Sequence, residues 1–156
     1  VGQQTLVAPL DDRIGPERSA WTDGWDGYPL ARERLLDSLR RVRNPVIAGG
    51  DLHAAVVAAV PSDPRRLDSK PIASEFVATS ISADGWPQSR YDERRGENPH
   101  VRLARSDQRG YTLLEFKRDR LDASLRVVDD VRSATPSFAT QARFRVEDGK
   151  PGPEPV

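Results

Sequence analysis

In the segment Asn44-Pro45-Val46-Ile47-Ala48-Gly49-Gly50-Asp51-Leu52-His53-Ala54-Ala55 (NPVIAGGDLHAA), a short apolar run gives way to two glycines, then to an aspartate and a histidine two residues apart. Val46-Ile47-Ala48 shows no polar alternation, the pattern of a strand covered on both faces of an α/β sheet. Gly49 and Gly50 let the backbone turn sharply at the C-terminal end of that strand. Asp51 and His53 lie just past it, where ligands collect in open α/β sheets.

Upstream, Pro29 stands at a first helical position, and Leu35, Leu36, Leu39 and Val42 share one face. Acidic Glu33 and Asp37 precede basic Arg40, Arg41 and Arg43, which suits the helix dipole. The spacing predicts a helix over residues 29–43, ended by Asn44-Pro45. Before it, Gln4–Ala8 reads as a short strand stopped by Pro9, and residues 9–28 read as a polar loop with aromatic anchors at Trp21, Trp25 and Tyr28. Downstream, Ala54–Val60 is apolar without alternation and is compatible with helix or strand. Ile72–Ile81 alternates and reads as a core strand. Residues 83–99 lack apolar periodicity, and so long a loop is often functional. His100–Ala104, Tyr111–Lys117, Ala123–Val128 and Gln141–Val146 read as antiparallel strands, with hairpin connections at 108–110 and 118–120. Residues 148–156, rich in Pro and Gly, read as a flexible tail after a domain portion over 1–147. The predicted class is α/β: a mixed sheet, mainly antiparallel after residue 100, with one clear covering helix.

Composition narrows the chemistry. The 156 residues suffice for one domain with a sizeable core. Lys plus Arg equals Asp plus Glu, so net charge gives no electrostatic case for nucleic acid or an anionic membrane surface. With no cysteine, disulfides, thiolate metal sites and cysteine nucleophiles are excluded from this chain. No apolar stretch is long enough to span a membrane as a helix. The chain starts at Val1 and holds no methionine, which is expected of a piece of a longer protein.

Asp51 and His53 offer an anionic oxygen and an imidazole nitrogen at i and i+2. On an extended backbone both project to one side and suit Fe, Mn or Zn, the carboxylate also Ca or Mg. The same spacing fits an end-of-strand histidine beside a capping aspartate, and two donors do not complete a metal site. Thr79 and Ser80 follow a core strand and are candidate phosphate donors, or partners of the backbone. His100, closing the long loop, is a candidate substrate-binding residue or a solvated loop histidine. Arg90, Arg94 and Arg95 are either anion attractors or loop surface. No P-loop, GxSxG, HExxH or EF-hand pattern occurs.

Seven blocks in order, VGQQTLVAPL, WDGYPLARERLL, NPVIAGGDLHAA, SEFVATSIS, ENPHVRL, RGYTLLEF and RVVDDV, resemble the C-terminal half of PhoD-like alkaline phosphatases, within the calcineurin-like metallophosphoesterases. The resemblance runs from about Val1 to Gly152. It implies the C-terminal part of a four-layer αββα sandwich and hydrolysis of phosphate monoesters and diesters. It makes GDLH the last metal motif, with Asp51 and His53 as ligands of ferric iron and calcium. Further aspartate, asparagine and cysteine ligands are implied in an N-terminal half that this chain lacks, so the chain alone is expected to be inactive. A non-catalytic fragment or binding module that keeps the fold is the alternative. The resemblance also implies an upstream twin-arginine signal and an extracytoplasmic or secreted location.

Overall fold

The computed structural model describes residues 1–156 and holds two four-stranded sheets packed face to face. Helix α1 (Pro29–Leu39) begins at the proline and ends before Asn44, which takes a left-handed φ of 54° ahead of Pro45. It is therefore shorter than the predicted 29–43. Leu36 and Leu39 are buried as the spacing requires, whereas Val42, beyond the helix end, is exposed.

The first sheet has the order β1-β3-β2-β4, with β1 Val46–Gly49, β2 Ala55–Pro61, β3 Pro71–Val77 and β4 Val101–Arg105. β1 and β3 are parallel, so both end at one edge, with Gly49 opposite Val77. β2 pairs antiparallel with β3 and β4. The open choice at Ala54–Val60 resolves to strand: every residue of β2 is buried because both faces are covered. On one face Val56, Ala58, Val60 and Ile47 pack with Leu36, Leu39 and the segment Leu6–Ala8. On the other, Ala55, Val57 and Phe76 pack against Leu121, Leu125, Phe144 and Val146 of the second sheet.

The second sheet runs β5-β6-β7-β8, with β5 Arg109–Phe116, β6 Arg120–Val128, β7 Phe138–Glu147 and β8 Glu154–Pro155, all antiparallel. β6 alternates buried and half-buried residues along its whole length, as a strand with one face on the core must. The outer face is charged: Lys117, Arg145 and Arg120 surround Asp122 and hold its carboxyl well below the usual carboxylate range. The chain thus supplies helix, sheet and sheet, with a polar exterior on the last.

Four expectations are corrected. Gln4–Ala8 is not a ladder strand; only Gly2 bridges, to Ala48, while the Val7 and Ala8 amides donate to the Glu75 carboxylate at 2.7 Å each. The 83–99 loop contains helix α2 (Gln88–Glu93) and a 3-10 turn at Arg95–Glu97. Its Arg90 and Arg94 pair with Asp12, and Arg90 also stacks on Trp86, so these two cations staple loops together. Residues 108–110 do not close a hairpin, because β4 and β5 lie in different sheets. The tail is docked: Gly152 and Pro153 are buried, the Gly152 amide donates to Ser74 Oγ at 2.9 Å, and β8 pairs with β7.

Candidate functional site

The parallel pair β1 and β3 delivers its C-terminal ends to one edge, where β2 starts, β4 stops and β5 begins. Gly49 is needed there because a Cβ would meet the Thr5 carbonyl oxygen at 2.7 Å. The Gly50 amide donates to Gln4 O at 2.8 Å, tying the turn to the N-terminal segment.

Asp51 and His53 follow, both exposed, with φ of 66° and 53°. The backbone is therefore not extended between them, as the i, i+2 reading supposed. Left-handed residues other than glycine cost about 1–2 kcal/mol each, although Asp and His are among the residue types enriched there. Such strain concentrates at functional sites.

His53 Nδ1 lies 2.9 Å from the Asp84 carbonyl oxygen. A carbonyl only accepts, so Nδ1 carries the proton, and Nε2 is the ring nitrogen not used in this bond. A backbone carbonyl behind an imidazole is the usual orienting partner of a metal-binding histidine. Gly85 packs so closely that a Cβ would meet His53 O at 2.4 Å. Arg109, at the start of β5, reaches the same loop: Nη1 donates to Ser80 Oγ at 2.8 Å, to His53 O at 3.3 Å and to Ala83 O, and Nη2 donates to Ser106 O. Beside Asp84 and Gly85, a cavity of about 400 Å³ is lined by Asp107, Arg109, Asp130 and Arg132 among others.

The fold brings Thr79 and Ser80 to this edge with Asp51 and His53. Both hydroxyls are engaged: Thr79 Oγ1 donates to Gln108 O at 3.0 Å, and Ser80 Oγ donates to Ala83 O. His100 is not brought there. It sits just before β4, whose far end, Arg105, pairs with Ala55 at the site edge. That length of strand separates it from the site by roughly 15 Å. It is 5% exposed, with Nε2 against Pro9 O at 2.7 Å, and burial pushes its pKa down. A solvated loop histidine is thus also the wrong description.

No local pattern marks Arg109, Asp84 and Gly85, because their contacts with the site run through backbone carbonyls between residues distant in the chain. Sequence reading also misses Glu75, which is buried in mid-strand with Val7 and Ala8 as its partners. A lone acid in an otherwise apolar strand is the available signal.

The donor set suits a metal only in part, since nowhere does the chain gather three His, Cys, Asp or Glu side chains that could hold one ion. Alkaline phosphatase D of Bacillus subtilis (strain 168) is 31% identical over 135 residues, covering 83% of this chain and 23% of that protein. A solved structure described as "Structure of PhoD" matches with a TM-score of 0.87 at 28% identity, covering 99% of this chain and 30% of that one. The chain therefore spans less than a third of either relative. The PhoD-like phosphatase family model matches residues 1–125, through the Asp51–His53 turn, the whole first sheet, β5 and the first part of β6, and the chain belongs to that family.

Proposed function

We propose that this chain is the C-terminal part of a metal-dependent phosphoric ester hydrolase, with Asp51 and His53 as two of the ligands of its active-site metals. The observation that carries the reading is the His53 imidazole, held through Nδ1 by the Asp84 carbonyl, with Asp51 and His53 both exposed just past the end of β1. An imidazole nitrogen and a carboxylate oxygen fit iron, and the carboxylate also fits calcium, the pair that the family resemblance implies. Bound metals would offset phosphate charge and supply an activated oxygen nucleophile for attack on a monoester or diester.

The chain's own residues then have distinct tasks. Asp51 and His53 bind; the Asp84 carbonyl keeps the His53 proton on Nδ1 so that Nε2 stays a donor to metal. Thr79 and Ser80, with their hydroxyl protons committed, shape the substrate rim. The remaining ligands, and the last layer of an αββα sandwich, belong in this reading to residues outside the chain. In this reading the chain alone is non-catalytic. An extracytoplasmic location rests on the same family resemblance.

The test uses the longer protein. Asp51→Asn and His53→Ala are expected to lower hydrolysis of p-nitrophenyl phosphate and bis-p-nitrophenyl phosphate by about 10²–10³-fold, the equivalent of several kcal/mol of lost transition-state stabilisation. Bound iron or calcium, measured by elemental analysis, falls with it. Unchanged metal stoichiometry in both variants would refute the ligand roles. An intact protein without metal or hydrolysis would favour a binding module that keeps only the fold.

A further inference from the structure

We infer that Arg109 is a positioning residue for His53, acting on the imidazole through the 80–85 loop; its functional meaning rests on the ligand role proposed above. The side chain is 6% exposed, yet it forms no ion pair. All of its side-chain hydrogen bonds go to neutral oxygens: His53 O, Ser80 Oγ, Ala83 O and Ser106 O. Asp107 is near enough to feel the Arg109 charge but accepts no hydrogen bond from it; a buried guanidinium whose direct partners are all neutral is an expensive choice for a protein interior, where arginine is almost never fully buried unless paired.

What these bonds accomplish is specific. The site turn, the loop after β3 and the end of β4 are separate stretches of chain, and one guanidinium joins all three. Its bond to His53 O holds the left-handed backbone of that residue from behind. Its bonds to Ser80 and Ala83 hold the loop whose next residue, Asp84, accepts the hydrogen bond from His53 Nδ1–H with its carbonyl. The backbone and the ring of His53 are thus restrained from one side chain. Gly85 permits the approach, since a Cβ there would strike His53 O. A planar fork with five donors can span four acceptors; an ammonium cannot.

The two histidines of the chain make the inference testable without metal or activity. His53 holds its proton on Nδ1 against Asp84 O, and His100 holds its proton on Nε2 against Pro9 O. Nitrogen-15 NMR of the imidazoles, in the metal-free chain and above the ordinary imidazole titration range, distinguishes the two tautomers. Arg109→Met is expected to move His53 from the Nδ1–H form to a mixture, with the His100 signals unchanged as a report that the fold is intact. If His100 also changes, Arg109→Lys, which keeps charge and reach but loses the fork, is read the same way. An unchanged His53 tautomer beside unchanged His100 signals overturns the inference.

In the longer protein, iron or calcium affinity is expected to drop about 10–100-fold, the usual loss for an outer partner of a metal ligand. A shifted tautomer with unchanged metal affinity would uphold the positioning by Arg109 and count against the ligand reading instead.

Discussion

Replacing Glu75 by Gln tests how the fold holds its N-terminal segment. Glu75 lies in β3 between Ile47 and Ala58 and is 0% exposed. Its two carboxylate oxygens accept the Val7 and Ala8 amides at 2.7 Å each. Burial pushes its pKa from 4.5 up to about 7, against the pull of those two amides and the Arg32 guanidinium. A folded-state value above the unfolded one means that the folded chain binds the proton more tightly. The associated stability is complete below 4.5 and is lost as pH rises through about 7. At about 1.4 kcal/mol per pH unit, the whole rise is worth about 3 kcal/mol. Of this, about 2–3 kcal/mol disappears between about pH 5 and about pH 8. Glutamine cannot titrate. Its single amide oxygen can accept only one of the Val7 and Ala8 amides, and its NH2 faces the other without an acceptor, a loss of at least about 1–3 kcal/mol that does not vary with pH. Urea denaturation of wild type and Glu75→Gln across that range should show the stability difference shifting against wild type by about 2–3 kcal/mol. Acids held low in both proteins, such as Asp107 and Asp129, cancel in the comparison. A difference that stays constant with pH would show that Glu75 is ionised in both states and would refute the reasoning.

Two further substitutions probe the site loop and the sandwich. Gly85→Ala should displace the 84–85 backbone from His53, because the new methyl would meet a carbonyl oxygen rather than a flexible side chain; loss of the Nδ1–H tautomer at His53 by NMR checks it. Phe76→Ala removes one of the largest side chains between the sheets and should destabilise the chain by about 3–5 kcal/mol in denaturant titration, without a change in pH dependence.

How far the residues announced their structure differs from element to element. Pro29 and the Leu36–Leu39 spacing marked α1, because helical period and an N1 proline are local properties. The alternation in β6 marked a strand with one dry face for the same reason. The NPVIAGGDLHAA segment was legible as strand, turn and candidate donors, since β1 ends at Gly49 and Asp51 and His53 stand just beyond. β2 was not, because a segment buried on both faces carries no periodicity to read.

The rest was decided by contacts between distant parts of the chain. Which end of the sheet His100 occupies depends on β4 running antiparallel to β2, and no local pattern carries strand direction. The docking of residues 152–155 depends on Ser74 and β7, far off in sequence. The orientation of the His53 ring depends on a carbonyl at Asp84, and that loop is gripped by an arginine from the other sheet. Side-chain period and turn chemistry are written into neighbouring residues. A backbone carbonyl is the same in every residue, so which one meets His53 is settled only when the two sheets close on each other.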